Sequence, residues 1–298
     1  MSKVSDTAKP LTWLITGSSS GFGLALTRLA QAKGHNVIAT SRNPDRAPEL
    51  VSEVVERGGR WLQLDLHDLE SGKIIDDLEA AGTCIDVLIN TAGIGIAGPL
   101  ESFTEAEVRR QMDTNFFGPY RLARAVTPYM RKRRSGMIVN FSSGAGLEAM
   151  NSLGVYGASK AALDDMSKVL HKELEPFNVR VLLVYLGTFN TPMANSVQAI
   201  AAPLDPDYEG TQTERLFNML RTGDFAIPGD HLKATQAVYD VVMDEGSAKG
   251  LGSEIMLPLG IDLANTVKRT QDRLAHMMDV FGGICHNVNL DGGTGPSW

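Results

Sequence analysis

The chain has 298 residues, 43% of them hydrophobic and 21% charged, with a formal net charge of −7. That is the composition of an ordinary globular protein, long enough for about two domains or one large α/β domain. The acidic balance argues against nucleic acid or an anionic membrane as the main partner.

Cys84 and Cys285 lie far apart and form neither a disulfide framework nor a zinc spacing, which fits a reducing, cytoplasmic setting. The six histidines show no H-E-x-x-H spacing, so no metal is expected. Residues 1–10 are polar and read as a disordered leader without an apolar signal core. Apolar runs such as Val181 to Leu186 are too short to span a bilayer.

Leu11 to Thr16 has strand character and leads into Gly17-Ser18-Ser19-Ser20-Gly21-Phe22-Gly23, followed by an amphipathic helix from Phe22 to Lys33. Strand, glycine turn and helix together form a phosphate cradle. The glycines let backbone approach a pyrophosphate, and the helix N-terminus attracts its charge. The second strand, Asn36 to Thr40, ends in Ser41 and Arg42 rather than in an acid. A carboxylate there would hold a ribose 2′-hydroxyl, whereas an arginine suits a 2′-phosphate, so Arg42, with Arg46 nearby, points to NADPH over NAD.

A helix near 46–57 and a strand from Trp61 to Leu64 end at Asp65 and Leu66. A helix near 69–81 and the run Ile85 to Ile89 follow, ending in Asn90-Thr91-Ala92-Gly93, small residues that leave room for a flat ligand. The loop Ile94 to Phe103 is glycine-rich. Thr104 and Glu107 form a capping box that opens one long helix to about Arg131, with Asn115 inside it. Asn115 is a mediocre helix former, and if buried it needs hydrogen-bond partners. The run Arg131 to Arg134 reads as a solvated helix terminus.

Met137 to Phe141 is the fifth strand, and it ends at Ser142-Ser143. Asn140-Phe141-Ser142 matches a glycosylation acceptor by chance, within a buried strand. The loop Gly144 to Gly154 feeds a helix that carries Tyr156 and Lys160 and ends near Pro176. Val179 to Leu186 is almost wholly apolar, as a buried parallel strand should be. This alternation predicts a doubly wound, Rossmann-like parallel sheet of about seven strands with helices on both faces.

Residues 188–229 break the pattern. Their apolar side chains, including Met193, Ile200, Leu204, Phe217, Leu220, Phe225 and Ile227, admit two readings: a lid over a hydrophobic substrate, or a helical excursion with its own small core. Asp230 caps a helix from His231 to Asp244, and Glu254 to Leu257 is the last strand. The remainder, 261–298, reads as an amphipathic helix stopped at Gly282-Gly283 and a loosely held tail from Ile284. The predicted organisation is a single catalytic domain over 11–260 between leader and tail.

Tyr156 and Lys160 stand one helical turn apart on one face. A phenol titrates near pH ~10, and a nearby ammonium favours the phenolate. Tyr156 is then an acid or base for a carbonyl or hydroxyl oxygen, and Ser143, thirteen residues upstream, orients that oxygen.

Together these motifs resemble the short-chain dehydrogenase/reductase family over roughly residues 11–260, with the hydroxysteroid, retinol and carbonyl reductase branch most similar. The resemblance makes Asn115, Ser143, Tyr156 and Lys160 the catalytic tetrad, with Ser142 an alternative to Ser143. It assigns the cofactor to Gly17, Ser19, Ser20, Gly21, Phe22, Gly23, Ser41, Arg42, Asp65, Leu66, Asn90, Ala92, Gly93, Gly187, Phe189 and Thr191, besides Tyr156 and Lys160. Thr91 replaces the second Asn of the family's N-N-A-G, and Leu186 replaces the Pro before Gly187.

The implied activity is reversible, NADPH-dependent reduction of a ketone or aldehyde on a hydrophobic small molecule by a homodimer or homotetramer. NAD-linked oxidation of an alcohol is the alternative on the same fold. A cofactor-binding redox sensor without turnover is the alternative of another class.

Overall fold

The computed structural model describes residues 9–192, 197–224 and 226–288. The leader up to residue 8, Met193, Phe225 and the tail from residue 289 lie outside them. Seven parallel strands form the central sheet: β1 (Thr12–Ile15), β2 (Asn36–Ser41), β3 (Arg60–Gln63), β4 (Val87–Asn90), β6 (Gly136–Ser143), β7 (Val179–Leu186) and β9 (Met256–Leu259). Their order is β3-β2-β1-β4-β6-β7-β9. Hydrophobic alternation sets the register. Leu14 pairs with both Ile38 and Leu88, and Leu88 with Ile138.

Successive residues of a strand point to opposite faces. Trp13, Ile15, Val37 and Ile89 therefore share one core with α1 (Gly21–Ala32) and α9 (His231–Met243). Leu14, Ile38, Leu88 and Ile138 share the other with α3 (Lys73–Ala80) and α5 (Gly118–Arg133), whose Leu122 and Val126 are fully buried. Two remaining helices belong to the same framework: α2 (Pro48–Glu56) before β3, and α7 (Gly154–Leu174) before β7. Between β4 and β6 the buried amides of Asn90 and Asn140 bond side by side, Nδ2 to Oδ1 at 2.8 Å. Asn140 is fully buried and donates to Ser167 Oγ at 2.9 Å.

The structure departs from expectation at several points. The single helix expected from Thr104 is α4 (Glu105–Met112), a π-helical turn (Asp113–Phe117) and α5. Its capping box does form, with Thr104 accepting from Glu107 N and Glu107 accepting from Thr104 N. The loop after Gly93 holds a short strand, β5 (Ile96–Ala97), paired with β8 (Gln198–Ala199). That pairing joins the 188–229 segment to the loop. Ile200, Phe217 of α8 (Gln212–Thr222), Ile96 and Ala97 then form one small buried cluster.

The basic run is not simply solvated. Arg133 pairs with Glu79 and donates to Ile85 O, each at 2.8 Å, while Arg131 and Arg134 lie over the Phe177 ring. A one-turn helix, α6 (Gly144–Leu147), opens the loop before α7. The last strand lies two residues later than expected, because Leu183 to Leu186 set its register.

Helix α10 (Ile261–His286) passes through Gly282-Gly283, which keep a helical backbone rather than the positive φ of a glycine stop. Its first turns pack on α6 through Leu263 and through Arg269, which pairs with Glu148. Its outer half leaves Leu274, Met278 and Phe281 exposed. Among the described residues no helix is long and apolar enough to cross a membrane.

Leu88 is fully buried at the centre of the sheet. Leu88→Ala is expected to destabilise the fold by about 3 kcal/mol, and Val55→Ala on the exposed face of α2 by less than ~0.5 kcal/mol, both measured by urea unfolding.

Candidate active site

Strand order reverses between β1 and β4, so the crossovers leave to opposite faces and a crevice opens at the strands' carboxyl ends. A cleft of about 420 Å3 lies there. At its floor, Thr16 Oγ1 accepts from Thr91 N (3.1 Å) and Ala92 N (3.2 Å), locking the ends of β1 and β4 together. Thr91, which stands in for an asparagine, bonds back to Thr16 O. Gly17 sits at φ +69°, and a Cβ there would lie 2.9 Å from Ala92 Cα. A Cβ on Gly23 would lie 2.3 Å from Gly17 O. These glycines hold the turn tight over the N-terminus of α1, where Ser20 makes no side-chain cap, so first-turn N–H groups remain for an anion. A dinucleotide pyrophosphate fits this cradle.

At one end of the cleft, the Ser41 hydroxyl accepts from Trp61 Nε1 (3.0 Å). Arg42 is exposed and makes no ion pair among the described residues. Asp65 accepts from His67 N (3.0 Å), and the His67 ring bonds Thr114 Oγ1 (2.7 Å). His67 and Thr114 both line the cleft. In sequence they stand two residues after Asp65 and directly before Asn115, which is the signal by which they are found.

At the other end, the two serines that end β6 both line the cleft but have different neighbours. Ser143 faces the Tyr156 phenol, and Ser142 faces the Asp164 carboxyl. Lys160, only 5% exposed, donates from Nζ to Phe141 O (2.8 Å), and its Nζ lies 5.9 Å from the centre of the Tyr156 ring. Asn115 is fully buried in the π-helical turn. Its side chain accepts from Ile94 N (2.9 Å) and donates to Ile94 O and Ser159 Oγ (3.0 Å each). It therefore ties the loop after β4 to α7 and does not line the cleft. Asn90 does not line it either: it is buried between β4 and β6, with its Nδ2 bonded to Asn140. The other residues expected at the cofactor all line the cleft.

Burial pushes the Tyr156 phenol above its ordinary value, the Ser143 hydroxyl pulls it down, and the Asp164 charge raises it further. Burial lowers Lys160 to about 8, with Asp164 opposing. The expectation that the ammonium draws the phenol toward neutral pH is thus not met by the protein alone. Desolvation disfavours the phenolate more than a partly desolvated, carbonyl-bound ammonium favours it.

Leu186 needs no proline before Gly187, because β7 carries it to the end of the strand and Gly187 N donates to Leu259 O (2.8 Å). Thr188 N donates to Asp262 at 2.7 Å. Phe189 packs edge-on against Phe22 at 5.4 Å, and Thr191 lies beside Gly21. The outer wall is apolar: Ile94, Leu153, Val197 and Leu220 face the cleft. Among the described residues no group of His, Cys, Asp or Glu could hold a metal ion.

The family profile described as short chain dehydrogenase matches residues 12–201. The chain is 42% identical over 184 residues to 3-ketodihydrosphingosine reductase of Bacteroides thetaiotaomicron, covering 61% of this chain and 65% of that protein. It is 38% identical over 215 residues to human retinol dehydrogenase 8, covering 70% of this chain and 68% of the relative. A short-chain dehydrogenase structure from Streptomyces avermitilis superposes with a TM-score of 0.83 at 32% identity, covering 97% of this chain and 100% of the other. The profile match spans well over half the chain and every strand of the central sheet except β9. The chain therefore belongs to the short-chain dehydrogenase family, whose members are oxidoreductases that use a nicotinamide cofactor.

Proposed function

We propose that the protein is an NADPH-dependent reductase of ketones or aldehydes on hydrophobic small molecules. The observation that carries this reading is a buried phenol held protonated, facing the Ser143 hydroxyl and one turn from a lysine, at the apolar end of the cleft. A phenol that is un-ionised at neutral pH has a proton to give to a carbonyl oxygen, and the Ser143 hydroxyl opposes the burial that holds that proton.

A bound reduced nicotinamide supplies the hydride to the carbonyl carbon. Ser143 Oγ–H donates to the carbonyl oxygen and holds it beside Tyr156. Tyr156 Oη–H gives that oxygen its proton, so the product is the alcohol and a phenolate remains. The Lys160 ammonium stabilises that phenolate until it is reprotonated. Asn115 acts at a remove, by fixing the loop after β4 against α7. Exposed at the opposite end, and without an ion pair among the described residues, Arg42 offers a guanidinium to a 2′-phosphate. The segment 188–229 serves as a lid whose Val197 and Leu220 shape an apolar pocket. The named activities of the reductase and the retinol dehydrogenase, both on lipid-like molecules, support a substrate of that kind.

Tyr156→Phe is expected to lower kcat for carbonyl reduction by about 10²- to 10⁴-fold while the variant still binds NADPH. A panel of apolar ketones and aldehydes assayed by NADPH consumption checks it, and a variant as fast as wild type would overturn the assignment.

Arg42→Ala is expected to weaken NADPH binding by about tenfold to a hundredfold while leaving NADH binding alone, as read by fluorescence titration. Equal binding of the two cofactors by the wild-type protein would instead favour NAD-linked chemistry.

A further inference from the structure

Behind the catalytic face lies a second polar cluster that the mechanism above does not use. Asp164 stands one turn beyond Lys160 and two beyond Tyr156 on the same face of α7, and is 2% exposed. Ser142 (2% exposed) faces it from β6, and Tyr185 (3% exposed) from β7. Neither Asp164 carboxylate oxygen has a hydrogen-bond partner of ordinary geometry, and neither does Ser142 Oγ or Tyr185 Oη. Gly146 of α6 closes the cluster, since a Cβ there would lie 2.6 Å from Asp164 Oδ2. Leu147, Leu263 and Val267 pack with Tyr185 and keep water from that side.

A buried carboxyl without strong partners costs stability. Its neighbours show what it does in return. The charged and titratable groups that face it are Tyr156, Lys160 and Lys168 on its own helix and Tyr185 on β7. Lys160 also lies in the interior, with one backbone carbonyl as its hydrogen-bond partner. An ammonium there would shed its proton unless a negative charge stood near.

We propose that Asp164 is a positioning residue, a buried counter-charge one helical turn behind Lys160 that keeps the lysine an ammonium through the pH range in which the enzyme works. The Ser142 and Tyr185 hydroxyls beside the carboxylate oppose the burial that favours its neutral form. The catalytic consequence rests on the reading of Tyr156 and Lys160 given above, whereas the electrostatic coupling does not.

The test follows Lys160 directly. Protein labelled with 13C at lysine Cε is titrated by NMR in the absence of cofactor, with Lys160→Met used only to assign the resonance. Lys160 is expected to titrate near pH 8 in the wild type and about 1 unit lower in Asp164→Asn. The wild-type curve is also expected to show a smaller inflection near pH 6, where Asp164 takes up its proton. That second reading needs no variant to fold.

The alkaline limb of kcat/KM for carbonyl reduction is expected to move down with the lysine in Asp164→Asn. Identical Lys160 titrations in the two proteins would overturn the proposal, as would a wild-type curve without the lower inflection. So would an Asp164→Asn enzyme that is slower at every pH with its alkaline limb unmoved. If the lysine shifts but Tyr156→Phe remains fully active, the coupling stands and the assignment of the catalytic residues fails.

Discussion

The reversal of strand order between β1 and β4 is the constraint on which the remaining structure depends. All seven strands are parallel, so their carboxyl ends meet at one edge. Because crossovers are right-handed, changing direction from β1 to β4 sends the flanking helices to opposite faces and leaves the crevice uncovered. The glycine turn, the ends of β2 and β4, and the two serines that end β6 all reach that crevice because the sheet carries them there. Gly17 and Gly23 matter for the same reason. They let β1 and α1 come so close that a single methyl group would strike backbone.

The Tyr156 end of the cleft is organised by burial as much as by contact. Tyr156 and Lys160 are both pushed toward their neutral forms by desolvation. For the phenol that means its proton stays on the oxygen at neutral pH. For a lysine it means a charge at risk, and Asp164, buried behind it, offsets that risk. Three charged or chargeable side chains thus follow one another along one face of α7. The sheet supplies hydroxyls to two of them, Ser143 for Tyr156 and Ser142 for Asp164. Both serines line the cleft, so one dipeptide at the end of β6 reaches two successive turns of α7.

Local patterns were the legible part. The buried β-branched runs read directly as strands, and the Thr104–Glu107 and Asp230 caps mark the starts of α4 and α9 as expected. The Tyr156–Lys160 spacing reads as one helical face. What failed to read depended on partners distant in sequence. Asn115 resembled a poor helix residue at an odd position. Its reason is a π-helical turn that places it against Ile94 and Ser159, a contact with no local periodicity. Asn90 belonged to a motif beside the cleft but is spent on Asn140, fifty residues away. β5 and β8 are too short to carry any pattern and exist because they pair with each other. The two glycines near the end of α10 suggested a stop, yet a glycine stops a helix only where the chain turns to positive φ, and nothing there requires the turn.

The sequence by itself determined the doubly wound class, the glycine cradle, Arg42 at the end of β2 and the Ser143–Tyr156–Lys160 set, because each is written in side chains close along the chain or in hydrophobic periodicity. Tertiary structure alone decided that Asn115 and Asn90 brace the site without lining it, and that Val197 and Leu220 reach the cleft while Ile200 and Phe217 pack on Ile96 and Ala97. It also decided that Asp164 stands buried behind Lys160. The physical reason is that burial and electrostatic coupling are properties of space. A carboxyl one turn from a lysine is a surface ion pair on one helix and a buried counter-charge on another, and only the packing of β6, β7 and α10 around α7 settles which.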